Sequence, residues 1–513
     1  MSILRKIMWR SVTHPTKVAI VDDQREYSFF KIGAGAMFAA KAIERATQRD
    51  KVGIMLPTSG AFTVAFLGAW LAKKTPVPLN YLLSQEELAH VVADSGIDTI
   101  ITAQKMVDAI AEMGIDVDKL PGGVGLMKLE DVSFKGLPPL RVPPKLDDDD
   151  LAVLLYTSGT SGKPKGVMLS ECNIRTNIDD SMEHAGLTKC DTFLGVLPQF
   201  HTFGLTVLTL LPLYGGGRVI YTARFNPRKL IDLMKKHRPQ LFIGVPSMLG
   251  ALLAVKKTTA DDWKSFRYVI CGGEPLPQSV YDGFKEKLGV EINEGYGLTE
   301  TSPVTNWSTP KQTRLHSVGR PLPSVQNFIV DDQDKPLGRN EEGEILISAP
   351  SVMKGYYQLD ELTDQVMIEI DVPDDPSIGS SGQKAKRGGK TRCFRTGDIG
   401  KIDDDGFLYI TGRKKEMLII GGENVFPREI EEVLNQHETV HASAVIGKQD
   451  GSRGEVAIAF VELEEGSEFD EAALKTYCRD NIANFKVPKE IRLLDKLPRN
   501  PTGKIMRRAL SAE

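Results

Sequence analysis

Apolar and polar positions alternate in short blocks along the chain, and the blocks have two periods. Continuous apolar runs stand at residues 52–56, 99–102, 151–156, 241–245 and 268–271. Their length and uniform hydrophobicity predict strands buried on both faces. Between such runs apolar residues recur at helical spacing, as at Leu230, Leu233 and Met234. Strands separated by amphipathic helices predict an α/β architecture. The tail is organised differently. A helix is expected over residues 427–435, with Ile430, Val433 and Leu434 on one face, then a strand over 456–461, a helix over 470–482 and a short strand over 491–494. That order describes a separate α+β unit of about a hundred residues. No solenoid-type repeat is visible.

At 513 residues the chain exceeds what one core usually supports, so two or more domains are expected. With 41% hydrophobic and 26% charged residues, its composition is that of a soluble globular protein. A formal net charge of −4 argues against a nucleic-acid surface. An anionic ligand must therefore be held by local groups. Five scattered cysteines (Cys172, Cys190, Cys271, Cys393, Cys478) form no C-x-x-C pair, which suits reduced thiols in the cytoplasm. The basic first ten residues lack the apolar core of a signal peptide. The apolar stretches at 62–72 and 203–213 are too short to span a bilayer, which leaves peripheral membrane contact as an open alternative. Residues 371–392, rich in Gly, Ser, Pro and Lys without apolar periodicity, read as a mobile surface loop.

The chemistry concentrates in Tyr156-Thr157-Ser158-Gly159-Thr160-Ser161-Gly162-Lys163-Pro164-Lys165-Gly166-Val167. Glycines let backbone N–H groups converge, hydroxyls donate hydrogen bonds and lysines add charge, a combination suited to a polyphosphate. It is not a Walker A loop, because Thr157 and Pro164 stand where that motif needs Gly and Ser/Thr.

This loop resembles the phosphate-binding signature of the adenylate-forming family, which includes acyl-CoA synthetases, aryl-CoA ligases, luciferases and peptide-synthetase adenylation domains. Four further segments follow in the family's order: Gly295-Tyr296-Gly297-Leu298-Thr299-Glu300-Thr301, Arg395-Thr396-Gly397-Asp398, Gly412-Arg413-Lys414-Lys415-Glu416 and Pro501-Thr502-Gly503-Lys504. The resemblance implies a large multi-sheet α/β N-terminal domain (residues 1–411) and a small mobile α+β C-terminal domain (412–513) carrying a catalytic lysine. The family usually has a shorter connection where residues 371–392 stand.

The same resemblance implies ATP, Mg2+ and coenzyme A as cofactor and co-substrates, and assigns roles to residues. Thr157, Ser158, Gly159, Thr160, Ser161, Gly162 and Lys165 would hold the β- and γ-phosphates. Thr299 would reach the α-phosphate, and Glu300 would bind magnesium. Tyr296, with Gly297, would stack on adenine against a wall from Gly273, Glu274 and Pro275. Asp398 would accept from both ribose hydroxyls, assisted by Arg413. Lys415 is the expected hinge, and Gly421 and Gly422 would face the thiol tunnel. Lys504 would bridge the carboxylate and the α-phosphate in the transition state. His201 would gate and position the acyl group.

The expected activity is conversion of a carboxylic acid to acyl-AMP, followed by transfer to coenzyme A. The apolar run from Phe200 to Leu213 favours a fatty acid, although such a run equally describes a buried helix. The segment from His201 to Thr206 also resembles bacterial fatty acyl synthetases that load acyl carrier protein, so that acceptor is the runner-up, with an aryl-CoA ligase as a further alternative. A catalytically silent nucleotide-binding sensor is disfavoured because Glu300, Asp398, Arg413 and Lys504 are all present. His437-Glu438-Thr439-Val440-His441 matches H-E-x-x-H, but a helix expected to end near His437 cannot carry both histidines on one face. Gly33-Ala34-Gly35 lacks the third glycine of a dinucleotide fingerprint.

Overall fold

The computed structural model describes the chain except residues 159–162, 376, 385–387, 421–422, 451–453, 500–504 and 512–513. Among the described residues, a nine-stranded sheet forms the centre of the N-terminal part. Six of its strands run parallel in the spatial order Val18–Val21, Arg218–Tyr221, Thr192–Gly195, Leu241–Gly244, Tyr268–Gly272 and Asn293–Gly297. The runs at 241–245 and 268–271 are thus buried parallel strands, covered on both faces as their continuous hydrophobicity requires. A second, four-stranded parallel sheet holds Lys51–Ile54 and Thr99–Thr102. The helix Gly60–Leu71 is buried all round, which explains an apolar stretch with no polar face. No described helix is long and apolar enough to cross a membrane.

Two antiparallel units complete this part. Strands Leu151–Ser158 and Pro164–Ser170 form a hairpin, joined at its edge by Gly355–Tyr356. A six-stranded sheet contains the long strand Gly389–Ile402 and its partner Leu408–Arg413. That partner strand runs through Gly412 and Arg413, two residues past the boundary expected at 411.

The segment 371–392 departs from its expected character as a loop at its two ends and at Ser380–Ser381, whereas the described residues between are turn and coil. Strand Met367–Val372 pairs antiparallel with Gly389–Ile402, from Met367 opposite Phe394 to Val372 opposite Gly389. Ser380–Ser381 adds to the same sheet through Asn327 and Gln326. Backbone pairing needs no hydrophobic periodicity, and Ile370, Val372 and Cys393 of this hairpin, with half-buried Ile368, turn into a small core with Phe328, Val330 and Leu346.

The C-terminal unit has its own core, built on strands Val440–Asp450 and Gly454–Leu463, the parallel strand Glu490–Leu493, and helices Pro427–Leu434 and Glu471–Asn481. Asp470 caps the second helix by accepting from Ala473 N–H at 3.0 Å. His437 bonds Thr439 and His441 pairs with Glu464, so the two histidines do not converge.

Candidate active site

Four adjacent parallel strands end side by side, and the carboxyl ends of three of them supply one group of the candidate residues. In an open α/β sheet, that edge is where backbone turns away and leaves a crevice. Thr192–Gly195 leads to His201, Tyr268–Gly272 to Gly273, Glu274 and Pro275, and Asn293–Gly297 to Thr299 and Glu300. The glycines there are required by close approach. A Cβ at Gly297 would stand 1.9 Å from the Pro303 carbonyl oxygen, and Gly273 has φ +84°.

Glu300 lies in a short turn, Thr299–Thr301, whose geometry fixes the carboxylate. Its backbone oxygen accepts from Met353 N–H at 2.8 Å, and its Oε1 accepts from the Tyr356 hydroxyl at 2.8 Å. Burial beside this carboxylate pushes the Tyr356 pKa well up and keeps its hydroxyl a donor. Tyr356 is also paired to Val167, and Lys165 Nζ lies 5.7 Å from its ring centre. One tyrosine therefore joins the phosphate hairpin to Glu300. The sequence reading missed it, although Gly355-Tyr356-Tyr357 was there to be seen. Thr157 stands opposite Lys165, and Ser158 opposite Pro164, at the hairpin's end. Gly159, Thr160, Ser161 and Gly162 lie outside the described residues.

A magnesium ion fits this arrangement. Hard cations take oxygen ligands and commonly rest on one or two carboxylates plus phosphate oxygens. Among the described residues, Glu300 Oε2 and the Thr299 hydroxyl have no hydrogen-bond partner, and no group of three acidic, His or Cys side chains forms a closed metal cage.

The ribose candidates also come together. Asp398, 3% exposed, follows Gly397 at φ +72° and lies opposite Arg413 across two paired strands. Its Oδ1 is 3.0 Å from Arg413 Nε, and its Oδ2 accepts from the Tyr296 hydroxyl at 2.5 Å. Each carboxylate oxygen has two lone pairs, so capacity for a sugar diol remains. Tyr296 thus orients Asp398 in addition to presenting its ring. Arg395 in the same motif is structural, bonded to the buried Glu344 and to Asp334. On Tyr296's own strand, burial raises the pKa of Glu294 to about 7, while Arg428 of the C-terminal unit and backbone N–H groups of His316 and Leu276 oppose the rise.

His201 lies two residues after Gln199, which accepts from Ser59 N–H at 2.8 Å and donates to Thr63 and Thr209. Its ring is half-buried, 5.0 Å from Phe200, with no hydrogen-bond partner among the described residues. Burial alone holds its pKa down at about 4, so the imidazole is neutral near pH 7. The run 203–213 is a correction to the pocket reading. Leu205, Val207, Leu208, Leu210, Leu211 and Leu213 are core residues in a π-helix and the α-helix that follows it. Only Phe203 stays half-buried, packed against Gly272.

The C-terminal tail closes over the crevice. Ile505 N–H donates to Glu274 Oε1 at 3.3 Å, which gives Glu274 a partner that an adenine wall alone would not. Arg507 forks onto Glu431 (2.9 and 2.6 Å) and reaches Glu416 at 2.8 Å. The connection between the two parts is held from both sides. Lys414 bonds Asp332 and Glu344 of the N-terminal part, and Glu416 bonds Arg507 of the C-terminal part. Lys415 lies between them. Lys504, Gly421 and Gly422 lie outside the described residues.

Comparison with known proteins identifies the family and the fold. The model of the AMP-binding enzyme family matches residues 8–357, and that of the AMP-binding enzyme C-terminal domain matches residues 429–504. A long-chain-fatty-acid–CoA ligase of Bacillus subtilis is 32% identical, over 97% of this chain and 92% of its own. A 2-succinylbenzoate–CoA ligase of Geobacillus kaustophilus is also 32% identical, over 98% and 96%. Among solved structures, ATP-bound MatB from Rhodopseudomonas palustris superposes with TM-score 0.85 at 29% identity, covering 99% of this chain and 98% of that one. O-succinylbenzoate coenzyme A synthetase from Bacillus subtilis, in complex with ATP and magnesium, gives 0.82 at 27%, covering 98% of each chain.

Proposed function

Because this chain belongs to the AMP-binding enzyme family, we propose that it activates a fatty acid and transfers the acyl group to coenzyme A. It is an AMP-forming CoA ligase acting on a carboxylic acid, and it uses ATP, Mg2+ and coenzyme A. The acid's carboxylate attacks the α-phosphate of ATP, a P–O bond forms, and pyrophosphate leaves. The thiolate of coenzyme A then attacks the acyl carbon and AMP departs. Both first-step partners are anionic, so the site must neutralise charge that builds between them.

In our reading Thr157, Ser158 and Lys165, with Gly159, Thr160, Ser161 and Gly162, take the β- and γ-phosphates. Glu300 holds magnesium, which supplies charge neutralisation on the phosphate oxygens, and Thr299 reaches the α-phosphate. Tyr296 and Gly297 take the adenine face opposite Gly273 and Pro275, while Asp398 and Arg413 take the ribose. Lys504 bridges the carboxylate and the α-phosphate. The C-terminal domain then turns about Lys415 to bring Gly421 and Gly422 to the thiol. Three buried free cysteines, with Cys393 pushed up to about 12 by burial, favour structural thiols in a reducing cytoplasm.

The observation that carries the fatty-acid reading is the apolar run of Phe200, neutral His201 and Phe203, of which Phe203 packs against Gly272. It rewards alkyl burial and leaves an amino acid's ammonium without a partner. A second reading, an aryl acid, is favoured by the edge-to-face pair of Tyr81 and Phe200, with ring centres 5.0 Å apart, and by the succinylbenzoate ligase at equal identity. The test is turnover of saturated fatty acids, benzoate-type acids and amino acids, each with coenzyme A and with acyl carrier protein. Preference for aromatic acids overturns the substrate, and activity with carrier protein alone overturns the acceptor.

A further inference from the structure

Away from the crevice, the N-terminal helix Ile3–Thr13 and the irregular strap at residues 133–148 enclose a second cavity of about 740 Å³. Its walls include Met8, Trp9, Val12, Met37, Val142 and Leu146. A volume of this size is typical of small-molecule sites. The chain leaves apolar surface in water here: Trp9 is 60% exposed, and Leu140 and Val142 of the strap are about 90% exposed. Clustered apolar exposure of this kind marks a binding surface.

The polar groups of the lining select the head of the ligand. Arg175 is matched by Glu171 and Asp148, Arg141 by Glu44 through both terminal nitrogens, and Lys145 by Asp147. Arg5 differs. Its Nε donates to the Pro143 carbonyl at 3.3 Å, and among the described residues it has no acidic partner. Two buried polar atoms of lining residues, Ser2 Oγ and Arg141 Nε, also lack hydrogen-bond partners among the described residues. Polar groups placed so are expected to be satisfied.

We propose that this cavity binds an amphiphile with one alkyl chain and an anionic head, the chain lying along Trp9, Val12 and Met37 and the head meeting Arg5. Carboxylate and phosphate heads share this chemistry, so a free alkyl acid and a membrane lipid are both sources. The site is separate from the adenylation crevice and does not depend on which acid the enzyme activates.

Trp9 reports on it directly, because Trp70, Trp263 and Trp307 are each at most 3% exposed. The full-length protein without ATP is titrated with monomeric octanoate, decanoate and dodecanoate, with 1-dodecanol, and with phosphatidylglycerol vesicles. The expected result is a saturable blue shift of Trp9 emission, absent in Trp9→Phe. Affinity should rise about fourfold per added methylene, the value of burying one CH₂. The alcohol should bind at least tenfold more weakly than dodecanoate, and Arg5→Glu and Val12→Glu should each weaken dodecanoate binding at least tenfold. Val12 is exposed, so its variant folds normally, and ligase turnover should be unchanged in both variants. A vesicle shift in addition to monomer binding identifies lipid as a second source. A vesicle shift without monomer binding, no shift at all, or a shift indifferent to chain length and to Arg5→Glu overturns the proposal.

Discussion

Replacing Arg507 by leucine tests whether the end of the chain is held in place for the first half-reaction. Arg507 stands three residues after Lys504, and its guanidinium makes three contacts: two to Glu431 and one to Glu416. Removing one partner of a buried ion pair costs about 3–5 kcal/mol, because the other charge is stranded. Two discounts apply. The side chains of Arg507 and Glu416 are 29% and 33% exposed, so solvent screens that arm. Glu431, whose side chain is 10% exposed, keeps its bond from Val445 N–H at 2.7 Å. About 2 kcal/mol remains for anchoring the tail, and that corresponds to roughly a 30-fold drop in the docking equilibrium constant. Acyl-AMP formation, followed by pyrophosphate release in a single turnover, should therefore slow by up to about 30-fold. Thioester formation from synthetic acyl-AMP should change no more than about twofold. Arg507→Lys keeps the charge but loses the fork, and should fall between. Lys504→Ala sets the floor for adenylation. A melting curve taken alongside separates anchoring from unfolding. Equal loss in both half-reactions at an unchanged melting temperature would refute the anchoring role, as would normal adenylation in Arg507→Leu.

Three further outcomes are expected. Tyr356→Phe removes the donor that orients Glu300, and losing such an outer partner usually costs ten- to a hundredfold in metal affinity. The magnesium concentration for half-maximal adenylation should rise about tenfold, and a fall would mean that the hydroxyl competes with the metal. Glu294 titrates near 7 in the fold and near its ordinary 4.5 when unfolded, so the native state binds the extra proton between these values and stability falls as pH rises through that window. Glu294→Gln should flatten the melting temperature between pH 5 and pH 8 and be the more stable form at pH 8; a parallel decline in both proteins would sink the assignment. Lys415→Pro fixes φ near −65° at the proposed hinge. Adenylation should survive while thioester synthesis is lost, and an intact second step would place the hinge elsewhere.

What could be read from the sequence depended on whether the signal was local. The strands at 99–102 and 268–271 were legible because burial on both faces leaves an unbroken apolar run. The hairpin 367–402 was not, since its cohesion lies in backbone pairing, and surface residues such as Lys390 and Glu369 pair across it without apolar periodicity. The run 203–213 shows the limit from the other side. Six apolar side chains look alike whether they line a cavity or fill a core, and only the position of Phe203 at Gly272 separates the one that lines. The partners of the site were the least accessible. Tyr356 and Glu300 are 56 residues apart, and Arg507 and Glu416 are 91 apart, so no window along the chain contains either pair.

The placement of Arg413 bears on how one crevice would serve two reactions. Arg413 is the last residue of a strand paired to the strand of Asp398, and its Nε rests on the carboxylate proposed to bind ribose. Lys414, the next residue, still bonds the N-terminal part, whereas Glu416 bonds the C-terminal tail. The change of allegiance therefore takes place within three residues of the proposed ribose contact. A rotation about Lys415 would leave Asp398, Arg413 and Tyr296 in register while carrying Arg507 and the tail away from Glu274. Hinges of this kind are a few loop or element-terminal residues that absorb large φ and ψ changes. Such an arrangement would let AMP stay bound through the turn, because the groups proposed to hold it lie on the N-terminal side of the proposed hinge.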